Sequence, residues 1–220
     1  MAYHAALFDL DGTLLDTLKD LTASLNFVLA AHGISPRSAQ DVRAFTGDGL
    51  RMLARRAVAD RASSANPDEI WHELASYYPH HAAELTCPYP GIESMIHELK
   101  QHHVACAVVS NKVDEAVQEL VETFFPGLFD FVAGEREQDH IRKKPAPDIL
   151  NTCMQALGVT PEDTVYVGDS EVDILSAHNA HTDCIAVTWG FRDEDYLIAQ
   201  GATCLAHTTD ELTRLILGGA

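Results

Sequence analysis

The sequence predicts an α/β protein, a Rossmann-like parallel sheet interrupted by a helical insertion. Two observations carry this. Short apolar runs with β character recur at residues 4–8, 104–109, 129–133, 164–167 and 184–187 and mostly alternate with helix-like stretches, the pattern of a parallel sheet covered on both faces. The first two runs are roughly 90 residues apart, far beyond the dozen or so that a strand-helix-strand crossover needs.

The intervening segment reads as helices. Thr17 is placed to cap a helix running to about His32 and stopped by Gly33, with Asp20 at the third helical position. Further helical patterns cover residues 49–61 and 67–85. TGDG (46–49) and ASSANP (62–67) have turn composition. The expected boundaries are therefore 16–87 for the helical domain and 1–15 with 88–220 for the sheet domain, the chain returning through PYPG (88–91). A weak last strand is expected at 203–205 and a closing helix at 210–217.

The chain has 220 residues, 46% of them hydrophobic, enough to bury a real core. Lys and Arg total 15 against 33 Asp and Glu, a formal charge of -18 that disfavours nucleic acid and anionic membrane surfaces as partners. The same field repels small phosphorylated metabolites, so a phosphate site in this chain needs local cations. Five cysteines without a CxxC pair read as reduced, mostly buried thiols. No basic leader with a long apolar stretch opens the chain, and no run of about 18 apolar residues occurs, so a cytoplasmic location is expected.

Four segments carry chemistry. FDLDGTLLD (8–16) puts Asp9 and Asp11 at the mouth of the first strand, where residues i and i+2 of an extended chain face the same way, about 6 to 7 Å apart. One phosphoryl group fits that gap. Asp9 is then the candidate nucleophile and Asp11 the proton donor to the leaving alcohol, while Gly12 lets the chain turn away. An acidic turn after a strand is the plain alternative for this segment alone.

VVSNK (108–112) runs a strand into Ser110 and Asn111, both able to donate to phosphate oxygens; capping of the next helix is the alternative. RKKPAPD (142–148) brackets a helix start with prolines and places Lys144 to neutralise charge on a phosphoryl group and its attacker. VYVGDSEVD (165–173) ends a strand in Asp169, with Asp173 one helical turn later, hard oxygen ligands that suit magnesium. Strands of a parallel sheet end at one edge, which would bring the four segments together.

In order and spacing, these segments resemble the haloacid dehalogenase-like superfamily of phosphohydrolases, over essentially the whole chain. The resemblance implies Asp9 as nucleophile, Asp11 as acid/base, Ser110, Asn111 and Lys144 as phosphate-binding residues, and Mg2+ as cofactor. The ion would be held by the Asp9 side chain, the Asp11 backbone carbonyl and Asp169, with Asp173 behind them or as an alternative contact. The insertion corresponds to that superfamily's helical cap domain, with hinges near 15–17 and 86–91.

Within the superfamily the likeness is greatest to phosphoglycolate phosphatases, on TGDGLRMLARRA (46–57), YPGIESMIHELK (89–100), the Ser110-Asn111-Lys112 triplet, KPAPDIL (144–150) and WGFRDEDYLIAQGA (189–202). The expected substrate is a small phosphate monoester, 2-phosphoglycolate first. A β-phosphoglucomutase-like phosphomutase or a pyrophosphatase are enzyme alternatives, and a phosphoacceptor receiver module is the non-enzyme one. A monomer or homodimer is expected. If the substrate carries a carboxylate, a cation of the cap is expected to meet it, with Arg43, Arg51 and Arg55 as candidates, although each reads mainly as part of a solvated helix face. The pairs at His80 and His102 read as surface histidines, and Trp71 and Trp189 as packing residues.

Overall fold

The computed structural model describes residues 2–60, 66–136 and 141–218. The chain divides into two compact units, Met1–Leu15 with Pro88–Ala220, and Asp16–Cys87.

The chain opens with strand β1 (Ala5–Phe8), and short strand β2 (Leu15–Asp16) leads into the second unit. That unit holds α1 (Leu18–Ala31), α2 (Ala39–Phe45), α3 (Leu50–Val58) and α4 (Pro67–Tyr77), followed by a single 3-10 turn at Tyr78–His81. Strand β3 (Cys87–Pro88) pairs with β2. The first unit resumes with α5 (Ile92–Gln101), β4 (Ala105–Val113), α6 (Asp114–Phe124), β5 (Phe131–Glu135) and α7 (Asp148–Leu157). It closes with β6 (Thr164–Gly168), α8 (Glu171–Ala180), β7 (Asp183–Val187), α9 (Glu194–Ala199), β8 (Leu205–Ala206) and α10 (Thr209–Ile216).

The main sheet has six strands in the order β5-β4-β1-β6-β7-β8, and its pairings are parallel. The apolar runs therefore form the sheet that their alternation with helices predicts. Strand β1 lies inside it, with every residue from Ala5 to Phe8 inaccessible to solvent. Burial on both faces explains why these strands read as continuous apolar runs. On one face Leu7, Ala107, Val109 and Tyr166 pack against Ile149, Leu150, Cys153 and Met154 of α7 and Ala177 of α8.

Register positions the site. Phe8 lies opposite Val108 of β4 and Val167 of β6. The residues just beyond that level, Asp9, Ser110 and Asp169, therefore emerge at the same edge. The Asp9 N–H donates to Val167 O at 2.9 Å, which carries the ladder one residue past the strand.

The helical unit departs from expectation in three places. Thr17 occupies the N-cap of α1 without a capping bond, and Asp16 Oδ1 instead accepts the Leu18 N–H at 3.3 Å. Helix α2 was not foreseen: it is seven residues long, buries only Val42, and starts at Ser38, whose hydroxyl accepts the Asp41 N–H while Asp41 reaches back to the Ser38 N–H. The helix expected to reach residue 85 ends at Tyr77, because Pro79 has no N–H to continue it and constrains Tyr78 before it. The end of α1 is as expected: Gly33 adopts φ 65°, and the Gly33 and Ile34 N–H groups return to Ala30 O and Leu29 O. Most of the turn expected at 62–67 lies outside the described residues.

The five cysteines are free thiols, with Cys106 and Cys153 buried and Cys87 exposed. Among the described residues no helix is long and apolar enough to cross a membrane.

Candidate active site

Three carboxylates, Asp9, Asp169 and Asp173, converge at the sheet edge, each offering an oxygen within 4.8 Å of the others. All three are buried. An isolated buried charge is too costly to persist, so each must have partners.

Lys144 is the first partner. It precedes α7, is almost wholly buried, and its Nζ lies 2.8 Å from Asp9 Oδ1 and 2.8 Å from Asp173 Oδ1. Its third contact is the Tyr166 hydroxyl, also at 2.8 Å. Three donors thus meet three acceptors, which fixes the ammonium in place. Burial alone would lower the Lys144 pKa, but Asp173 and Asp9 outweigh it and hold the group charged.

The Lys144 backbone is fixed as tightly as its tip. Asn111 Oδ1 accepts the Lys144 N–H at 2.8 Å, and Asn111 Nδ2 donates to Lys144 O at 3.0 Å. Asn111, expected at the phosphate, clasps the loop that carries the cation. Ser110 is buried beside it, and its Oγ accepts the Lys112 N–H at 3.2 Å. Helix α6 begins only at Asp114, so neither Ser110 nor Asn111 is its cap.

Asp173 saturates both oxygens. Oδ1 accepts from Lys144 and from Tyr166 at 3.0 Å, while Oδ2 accepts from Ser170 N and Ser170 Oγ at 3.1 and 2.6 Å. It anchors Lys144 at one end and the start of α8 at the other. Ser170, not Asp169, is the N-cap residue of α8.

Asp169 is held differently. Thr13 Oγ1 donates to its Oδ1 at 3.2 Å and the Phe191 N–H to its Oδ2 at 2.6 Å. Burial, then Asp173 and Asp9, drive its pKa well above the usual carboxylate range, against the pull of the Phe191 N–H. Burial likewise pushes Asp9 up to about 7, with Lys144 opposing the shift and Asp173 adding to it.

Two glycines make room. Gly12 has φ 86°, and a Cβ on it would collide with the Asp169 carboxylate; one on Gly190 would collide with Asp169 and the Gly12 carbonyl. Trp189, expected only to pack, donates its Nε1–H to Thr13 O at 3.0 Å and ties this segment to the turn after β1.

Asp11 stands apart from the three acids. Strand β1 ends at Phe8, so strand alternation does not set the relation of Asp11 to Asp9; the turn at Gly12 does. Its carboxylate is 27% exposed and its Oδ1 lies 3.2 Å from Lys112 Nζ. Each acid of the pair thus faces its own lysine.

Tyr166, Thr13 and the Phe191 N–H were not anticipated from sequence. Tyr166 reads as a core residue of a buried strand, and a backbone N–H has no sequence signature. In the helical unit, Arg51 and Arg55 share Asp68 at 3.2 and 3.7 Å and are about half exposed.

Three carboxylates against one ammonium leave two negative charges when all are ionised. Hard oxygen donors with that excess suit a divalent cation such as magnesium, so the residues fit the ion that the sequence suggested. Burial first, and then the mutual repulsion of the acids, raises the pKa values of Asp9 and Asp169.

Comparison with known proteins places this geometry. The model of the haloacid dehalogenase-like hydrolase family matches residues 6–187. A phosphoglycolate phosphatase of Pseudomonas putida is 33% identical, over 97% of this chain and 79% of its own length. One from Agrobacterium fabrum is 37% identical, over 86% and 82%. A crystal structure from Lactobacillus delbrueckii subsp. bulgaricus is 39% identical and superposes with a TM-score of 0.91, covering 99% of this chain and all of that one. CbbY of Rhodobacter sphaeroides, solved in complex with xylulose-(1,5)bisphosphate, is 25% identical with a TM-score of 0.75, over 96% of each chain.

Proposed function

This chain belongs to the haloacid dehalogenase-like hydrolase family, and we propose that it is a magnesium-dependent phosphatase that hydrolyses 2-phosphoglycolate to glycolate and phosphate. The observation that supports the reaction type is Asp9 just beyond a strand end, its Oδ1 2.8 Å from the ammonium of a buried lysine, within a cluster of three buried carboxylates. The substrate rests on phosphoglycolate phosphatases being relatives at 31–37% identity.

In this reading the Asp9 side chain, the Asp11 carbonyl and Asp169 hold the magnesium ion, which supplies charge neutralisation for the phosphoryl group. The remaining work belongs to the protein. Lys144 fixes the rotation of the Asp9 carboxylate and offsets charge as two anions approach. The Asp9 oxygen bonds to phosphorus while the ester P–O bond breaks, and Asp11 delivers its proton to the departing alkoxide. Water then attacks the aspartyl phosphate with Asp11 taking its proton, the bond to Asp9 breaks, and phosphate leaves. Ser110 donates its hydroxyl hydrogen to a phosphate oxygen in this reading, its Oγ already accepting the Lys112 N–H at 3.2 Å.

The test is release of inorganic phosphate from a panel of phosphate esters, with and without chelator. Magnesium-dependent turnover is expected with 2-phosphoglycolate preferred, and Asp9→Asn is expected to abolish it with the fold retained. Asp9→Asn with unchanged activity would remove the mechanism. The likeness to CbbY supports a second reading, a sugar phosphate as substrate, and xylulose bisphosphate belongs in the panel for that reason. Turnover that releases no phosphate would instead identify a phosphomutase.

A further inference from the structure

Each of the two acids that follow β1 has a lysine beside it. Lys144 contacts Asp9, Asp173 and Tyr166, so its three N–H donors all have protein acceptors. Lys112 lies on the other acid, with Nζ 3.2 Å from Asp11 Oδ1, and its side chain is only 8% exposed. Its backbone N–H is tied to Ser110 Oγ at 3.2 Å, which fixes the root of the side chain at the phosphate-facing end of β4. A charged lysine held this far from solvent in a chain of net charge -18 calls for an explanation beyond solubility.

The chemistry proposed for Asp11 supplies one. A general acid must lie within hydrogen-bond reach of the oxygen it protonates, so Asp11 marks the ester oxygen and the alcohol beyond it. An ammonium touching the same carboxylate is therefore on the leaving-group side of the site, while Lys144 is on the attacking side. In 2-phosphoglycolate the carboxyl carbon is two bonds from the ester oxygen. A group that contacts the acid is then within reach of that carboxylate. An ammonium has three N–H donors, so contact with Asp11 and with a substrate carboxylate are compatible.

We propose that Lys112 is a specificity-determining residue that binds the carboxylate of the leaving group, so that the site selects phosphate esters of 2-hydroxy acids over esters of neutral alcohols. This rests on the phosphatase reading above and adds the part of the substrate that the motif chemistry does not address. Lys112 sits in the sheet unit, so the selection is built into the same strand that carries Ser110 and Asn111.

The experiment compares 2-phosphoglycolate with ethyl phosphate, which has the same carbon count and no carboxylate, on the wild type, Lys112→Met and Lys112→Arg. Lys112→Met should lose about 100-fold in kcat/KM on 2-phosphoglycolate, mainly through KM, and at least about 10-fold less than that on ethyl phosphate, so that the ratio between the two esters collapses. Lys112→Arg should keep most of the preference. Equal losses on both esters would overturn the proposal and assign Lys112 to the support of Asp11. A wild type that prefers 2-phosphoglycolate, with Lys112→Met retaining that preference, would overturn this assignment alone. A wild type that prefers ethyl phosphate would overturn both this and the proposed substrate. Should Lys112→Met fail to fold, Lys112→Gln is read in the same way.

Discussion

The Tyr166 hydroxyl sits between Lys144 Nζ and Asp173 Oδ1, at 2.8 and 3.0 Å, at the bottom of the site. Burial, then Asp173, raises its pKa well above the ordinary phenol value, so it remains a neutral hydroxyl that donates to the acid and accepts from the lysine. Tyr166→Phe keeps the ring in the core and removes one oxygen. The ammonium then loses its third acceptor where water does not reach, and leaving such a donor unpaired costs about 1–3 kcal/mol. We expect kcat to fall about 10-fold, the equivalent of ~1.4 kcal/mol, with KM little changed, since the lost contact aims Lys144 and does not bind substrate. A loss of stability with kcat intact would mean that the hydroxyl serves packing alone. Lys144 stands out in the sequence because it ends a local run of cations before a proline in an acidic chain, and Asp9 and Asp169 because each is a charged residue where an apolar run stops. Tyr166 was hidden because it lies within such a run, and its partner comes from a loop 22 residues earlier. The relation of Asp9 to Asp11 does not follow from strand alternation, because β1 ends at Phe8, before both residues.

At the scale of elements, α1 is joined to the far end of its own unit by one side chain. Asp20, in its first turn, is buried; both its oxygens lie 2.9 Å from the Leu85 N–H, and Oδ2 accepts the Thr86 N–H at 2.8 Å. These are charge-assisted bonds to a segment that has left helical structure and would otherwise bury its donors unpaired. Asp20→Asn keeps one acceptor and turns the other into a donor facing an N–H. A loss of about 1–3 kcal/mol in unfolding free energy follows, read as a lower urea midpoint. An unchanged midpoint would show that water serves these N–H groups equally well. Sequence placed Asp20 at the third helical position but not its partner, because the contact spans 65 residues. Helix α2 escaped for the opposite reason: all its signals are local, but it offers one buried residue, too few for a helical period to register. The main strands were the easiest elements to read, since burial on both faces leaves little polar residue content to confuse them.

For the whole molecule the governing quantity is the net charge of -18. A multiply charged phosphate ester approaches through a repulsive field before it reaches the sheet edge where Lys112 and Lys144 lie. Exposed charges act over the Debye length, roughly 30 Å at 0.01 M salt and 8 Å at 0.15 M, whereas buried pairs are screened far less. Added sodium chloride therefore weakens the long-range repulsion more than it weakens the short-range contacts of Lys144 with Asp9 and Asp173, at 2.8 Å each. The expected outcome is that kcat/KM for 2-phosphoglycolate rises a few-fold, about 2- to 5-fold, between 0.01 and 0.15 M salt at saturating magnesium. Ethyl phosphate carries less charge and should respond less, which separates the field from a general effect of salt on the enzyme. A steady fall in kcat/KM over that range would mean that the local cations, not the overall charge, govern approach, and that the surface near the site is far less acidic than the chain as a whole.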